Sequence, residues 1–232
     1  MISYAEEADA LLITARRTRG SPLNDQVLVL CRRNDFDLER TGGAELLGLR
    51  GTRSLPYRLR GTAPLEAVLN DPFDEILATT MLPVAHTLWS AVWLGIATEA
   101  LHLASQFIQA AARKTPGILP VGTLRLSGLT QKQYQMRELT GAAVRRIDSN
   151  DAILLPKAAD VVFMNNLKVS TSSMCVDVVS GALMVTGLAG YQEEGTYAMG
   201  RMLRDAYGGL IMVNNDRLIT DTAQLLLSVR TW

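Results

Sequence analysis

The chain has 232 residues, of which 48% are hydrophobic and 20% charged, and its 23 Lys and Arg balance its 23 Asp and Glu. This is enough material for a sizeable core, and the balance excludes an intrinsically disordered chain. No cationic excess is available to neutralise phosphates, which argues against a nucleic-acid partner.

Two cysteines, Cys31 and Cys175, supply neither a disulfide framework nor a metal site. A reducing, cytoplasmic setting is the expectation. The opening stretch from Met1 to Glu7 lacks the basic and apolar regions of a signal peptide.

Residues 10–15 and 27–31 are short apolar runs joined by the turn-rich link from Arg19 to Asp25. Residues 36–40 and 54–60 add two more short segments, punctuated by Gly42, Gly43, Gly48, Gly51 and Gly61. The pattern predicts small antiparallel β structure over residues 1–72.

From about Asp71 the period becomes helical, and residues 73–232 read as a helical bundle domain. A first helix is predicted over 73–112, broken near Pro83 and ended by Pro116-Gly117 and Pro120-Val121-Gly122. A second is predicted over 130–147, closed by Ser149-Asn150-Asp151. A third starts near Pro156 and runs to Thr186, with Gly187 and Gly190 as its stop. A fourth surrounds residues 201–207. A fifth opens on Asn214-Asn215-Asp216 as capping residues and runs to Val229.

Residues 76–98 carry no formal charge and would span a bilayer by length. Their threonines, Pro83, His86 and Ser90, and the unbroken run into Glu99 and His102, favour a buried bundle helix and no membrane span.

Several local motifs resemble one family. Gly48-Leu49-Arg50-Gly51-Thr52, then 55–59 (Leu-Pro-Tyr-Arg-Leu) and 63–69 (Ala-Pro-Leu-Glu-Ala-Val-Leu), are similar to the middle domain of acyl-CoA dehydrogenases. Residues 8–16 resemble that family's A-D-x-F-L-V-x-A-R strand. Downstream, Leu94-Gly95-Ile96-Ala97, Gly187-Leu188-Ala189-Gly190-Tyr191 and 201–206 (Arg-Met-Leu-Arg-Asp-Ala) resemble its bundle motifs in the right order.

The resemblance implies an α+β fold: a partial antiparallel β domain followed by an acyl-CoA dehydrogenase-type C-terminal four-helix bundle. It also implies FAD, and oxidation of the α–β bond of an acyl-CoA. Met1-Ile2-Ser3-Tyr4 matches the family's W-[IV]-[ST]-N beside the flavin, and the family's N-terminal helical domain has no counterpart here.

The implied reaction needs a carboxylate to remove a proton while hydride leaves to the flavin. Counting from Arg204, that position holds Val213. The family's second placement of the base, aligned on Leu94-Gly95, holds Ala85 and His86. Asp216 lies about one turn beyond Val213 and reads as a helix-start residue. His86 reads as a hydrogen-bonded core histidine, and Glu99 with His102 as an ordinary helix pair. Arg204 with Asp205 reads as structural pairing. No catalytic residue and no metal ligand set is assigned.

For the flavin the resemblance leaves Ser3, Arg113, Gly187 and Gly190. The basic pair Arg113-Lys114 is out of register, and Met184, Leu188 and Asn215 replace expected contacts. The glycines are equally explained as a helix stop.

The leading expectation is a non-catalytic subunit or oligomerisation partner of an acyl-thioester dehydrogenase. It would assemble with itself or with a second acyl-CoA dehydrogenase-like chain through apolar surface left bare. The alternative is an FAD-dependent oxidoreductase acting on the CH–CH bond of an acyl thioester, its missing half supplied by another chain.

Overall fold

The computed structural model describes residues 1–43, 45–149 and 157–227. The features expected at Asn150, Asp151, Pro156 and Val229 lie outside the described residues. The chain divides into two compact units, Met1–Met81 and Leu82–Trp232.

The first unit holds two antiparallel pairs. Strand β1 (Ala10–Arg16) runs against β2 (Gln26–Arg32), with Ala10 opposite Arg32 and Arg16 opposite Gln26. Strand β3 (Phe36–Arg40) runs against β4 (Tyr57–Gly61), with Phe36 opposite Gly61. Period-2 alternation turns Leu11, Cys31 and Phe36 inward to a small core shared with Ile2, Ile13, Val29 and Leu59. The last strand starts at Tyr57 and not at Ser54, because Pro56 has no N–H to give a ladder. Leu55 instead makes an isolated bridge with Ile2.

Helix α1 (Phe73–Ile76) leads into a wide π turn, Leu77–Met81, and then into helix α2 (Leu82–Lys114). The break thus precedes Pro83, which is buried in the first turn of α2. A proline there cannot donate to the carbonyl of Thr79, and a wide turn absorbs the missing bond.

Helix α3 (Thr123–Asp148) starts seven residues earlier than the sequence pattern predicts. Gly122 enters it at φ +94°, a conformation that suits glycine, and the Thr123 hydroxyl donates to Pro120 O at 2.8 Å. Leu126 and Leu129 join the bundle core, so packing holds the first turns despite Gly128.

Helix α4 (Ala158–Thr186) stops at Gly187, φ +56°. A short turn α5 (Leu188–Tyr191) follows, then α6 (Gly200–Ile211) and α7 (Asn215–Leu226).

The bundle alternates in direction. His86 meets Met164 and Ser90 meets Thr171, so α2 and α4 run parallel. Gln133 bonds Thr98, and Lys132 pairs with Asp177, so α3 runs against both. The broken pair α6 and α7 forms the fourth member, antiparallel to α4: Met199 N donates to Gly190 O at 3.0 Å, and Asn165 donates to Thr222 Oγ1 at 3.3 Å.

Ala97, Ala100 and Ala104 let α2 approach α4 closely around Trp93, Met136, Val178, Val179 and Ala182. Phe73–Lys114 and Ala158–Thr186 are long and apolar enough to cross a membrane by length and composition, a test that buried bundle helices also pass.

Gly209 of α6 lies tightly against this core. A Cβ there would sit 2.8 Å from Trp93 Cε2 and 3.2 Å from Ser172 Cβ. Gly209→Ala is expected to lower stability by about 1–3 kcal/mol through overpacking. Exposed Gly95, with open space at its Cβ, is expected to gain about 0.5–1 kcal/mol as alanine. Urea unfolding of both variants checks the contrast.

Candidate functional site

The fourth bundle helix breaks at residues 212–214. Val213 sits there at φ +47°, a strained conformation for a β-branched residue, at a cost of about 1–3 kcal/mol. Three groups hold the break. Asn214 caps α7, its Oδ1 accepting Asp216 N–H at 2.8 Å. Asn215 donates from Nδ2 to Ser172 Oγ at 3.1 Å.

The third group is Lys168, a fully buried lysine on α4. Its ammonium donates to Gly209 O at 2.9 Å, Asn215 Oδ1 at 2.6 Å and Val213 O at 3.5 Å. An ammonium has three N–H donors, and three oxygens meet it here. Two of them belong to the end of α6 and the residues just after it, where a helix presents its partial negative charge. The ring of Trp93 lies 5.7 Å from Nζ and adds a cation–π contact. Burial pushes the Lys168 amine down from 10.5 to about 8.

The sequence pattern passes over Lys168. A signal for it existed: within 158–186 the only other charged residues are Asp160 and Asp177.

A polar ladder between α2 and α4 approaches the same region. His86 Nδ1 lies 3.0 Å from Met164 O, and Ser90 Oγ lies 2.8 Å from Thr171 Oγ1. Burial lowers the His86 pKa, and the bond to Met164 opposes that shift. His86 is therefore the hydrogen-bonded core histidine that its sequence setting suggests.

Val213 is 40% exposed and Ala85 half-buried, and neither side chain can take a proton. Asp216 stands in the first turn of α7, where its backbone N–H is bonded to the Asn214 side chain, so the cap is Asn214 and not Asp216. Arg204 and His102 have these partners. Arg204 pairs with Glu193 at 3.0 Å, because the loop after α5 brings that carboxylate across. His102 meets Gln106 at 2.9 Å, one helical turn on, in place of Glu99.

The four residues singled out for a flavin divide between the units. Ser3 is in the first, exposed, with its hydroxyl 2.7 Å from Ser54 Oγ. Arg113 is exposed in the last turn of α2. Gly187 and Gly190 flank the turn after α4, and their N–H groups are spent within it: Gly187 N donates to Leu183 O at 2.8 Å and Gly190 N to Gly187 O at 3.1 Å. A Cβ on Gly190 would meet Thr186, so that glycine is also a packing requirement. Among the described residues no group of three His, Cys, Asp or Glu could hold a metal.

Residues 76–212 match the family model described as acyl-CoA dehydrogenase, C-terminal domain. No curated protein matches the sequence.

Among solved structures, FMN-bound TdsC from Paenibacillus sp. A11-2, a dibenzothiophene monooxygenase, is similar at 19% identity and TM-score 0.77, covering 98% of this chain and 62% of that one. KijD3 in complex with FMN and a dTDP-linked amino-keto sugar is similar at 21% identity and TM-score 0.73, covering 99% and 58%. The flavoprotein nitroalkane oxidase is similar at 18% identity and TM-score 0.77, covering 96% and 56%. The chain thus spans about three fifths of the length of these proteins, and at such identities the likeness establishes the fold alone.

The depressed Lys168 amine carries a pH signature. Between about 8 and 10.5 the unfolded chain binds more protons than the folded one, so stability rises with pH across that window. The contribution is complete above 10.5 and is lost as pH falls through 8, a swing of about 3 kcal/mol. Lys168→Met is expected to remove that rise, read as the difference between wild-type and variant urea unfolding curves across the window.

Proposed function

This chain belongs to the acyl-CoA dehydrogenase family through its C-terminal domain, and on that premise we propose that it is a non-catalytic member: a subunit that contributes bundle structure and assembly surface to an acyl-thioester flavoprotein. The carrying observation is Val213. The bundle keeps a packed apolar core, while the strained turn that would carry the family's base presents a hydrocarbon side chain. α,β-Dehydrogenation needs a proton acceptor in reach of the substrate α-carbon. The nearest buried charge, the Lys168 ammonium, has its three N–H groups bonded to helix-break oxygens.

The partner in this proposal is a second copy or another acyl-CoA dehydrogenase-like chain, in a reducing cytoplasmic setting without a membrane span. Two free, buried cysteines support that setting.

FMN in two of the similar structures favours a second reading, in which this chain forms part of a flavin site completed by another chain. Flavin would supply hydride acceptance when bound. The residues that the family pattern marks for it are Ser3, Arg113, Gly187 and Gly190.

Purified protein, alone and with any chain that co-purifies, is to be incubated with FAD or FMN and then with acyl-CoAs of graded length. No bleaching of flavin absorbance is expected. Bleaching by the wild-type chain alone overturns the non-catalytic reading. Failure to retain any flavin, alone or with its co-purifying chain, removes the second.

A further inference from the structure

The end of the bundle where α2 stops, α3 starts and α4 stops carries a defined apolar tip. Residues 115–122 link α2 to α3 through two turns: Ile118 N donates to Thr115 O at 3.2 Å, and Thr123 N to Pro120 O at 3.3 Å. Pro116 and Pro120 fix the backbone of these turns further. Gly122 anchors the link, since a Cβ there would lie 3.5 Å from both Ile108 Cδ1 and Val185 Cγ1.

The side chains this link presents are apolar. Ile118, Leu119, Val121 and Leu124 are all exposed, Val121 at 96% and Leu124 at 81%. The closeness of Gly122 to Val185 sets the end of α4 beside them, and there Met184 and Leu188 are exposed as well. Single exposed apolar residues need no explanation; a group of them held at one tip marks a contact surface.

Charge at this end has one sign. Between Glu99 and Glu138 the sequence has no Asp or Glu, but it has Arg113, Lys114, Arg125, Lys132 and Arg137. Residues 178–192, at the end of α4 and in α5, carry no charge. Lys132 is held by Asp177, and Arg137 lies over the ring of Tyr134. Arg113 and Lys114 in the last turn of α2, and Arg125 in the first turn of α3, are exposed and form no ion pair among the described residues. The next carboxylates, Glu193 and Glu194, follow α5, and Glu193 is taken by Arg204.

Apolar groups at a tip with cations behind them match the two layers of an anionic membrane surface, acyl chains within and headgroup charge outside. A second copy would bring the same cations, so the collar opposes pairing of the tip with itself.

We propose that this tip is a peripheral membrane-docking surface. Leu119 and Val121 enter the interface of an anionic bilayer, while Arg113, Lys114 and Arg125 sit at its headgroups. No helix crosses the bilayer in this mode. The surface stands apart from both readings of function given above, neither of which uses Leu119, Val121, Lys114 or Arg125.

The experiment is co-sedimentation of the full chain with sucrose-loaded vesicles, of phosphatidylcholine alone or with about 30% phosphatidylserine. Binding to the anionic vesicles is expected to be about tenfold or more tighter than to neutral ones, and to weaken severalfold as salt rises from about 0.1 M to about 0.5 M. The L119S/V121S variant is expected to lose about tenfold or more in affinity. K114Q/R125Q keeps the apolar tip and is expected to lose about tenfold, on anionic vesicles only. Leu88→Ser, an exposed change on the flank of α2, is expected to bind as wild type does. Far-UV circular dichroism checks that each variant is folded. Absence of wild-type binding to either vesicle overturns the proposal. So does equal binding to neutral and anionic vesicles, or a loss in Leu88→Ser as large as in L119S/V121S. A tip variant that alters self-association of the free chain while vesicle binding stays at the wild-type level overturns it too, and assigns the tip to a chain-to-chain contact.

Discussion

A single buried ammonium organises the part of this bundle where function would be expected. Lys168 enters the core from α4 without a carboxylate partner and is made tolerable by three oxygens and the face of Trp93. Those oxygens belong to the end of α6, the strained turn and the start of α7. The lysine therefore fixes where the fourth helix stops and where it resumes. The cost is desolvation, seen in its depressed amine; the return is a defined break at Val213 despite an unfavourable backbone angle there. Gly209 is part of the same arrangement, since only a hydrogen in place of its Cβ lets α6 lie against Trp93 while its carbonyl receives the ammonium.

The sequence exposes the large features well and the local ones unevenly. The switch from period-2 runs to long helical stretches, and the glycine stop after Thr186, are local signals, and the structure carries both. The start of α3 is not local. Its first turns hold because Leu126 and Leu129 find the core, a tertiary contact that propensity cannot register past Gly128. Pro83 is misleading for a similar reason: it marks a disturbed turn, but the disturbance falls on the residues before it. At the site, the missing carboxylate at Val213 follows from counting along a family pattern. The residue that ties that turn down, Lys168, does not, because a lone lysine on a helix ordinarily reads as solvated until the opposing helix break is seen. Pairing partners such as Glu193 for Arg204 depend on loop closure and are invisible in the chain's order.

On the proposed reading, the turn where the family pattern places a base is here a packed and hydrogen-bonded joint. In the turn after α4, Gly187 N donates back to Leu183 O and Gly190 N to Gly187 O, and the His86 ladder spends its polarity between helices.

The most direct test is nuclear magnetic resonance of the chain with isotope-labelled lysine, the Lys168 signal assigned by its loss in Lys168→Met. A slowly exchanging ammonium that titrates near 8 is expected. A freely exchanging signal with the ordinary lysine value of 10.5 would contradict a buried ammonium at the helix break, and with it the explanation of why Val213 can stand where it does.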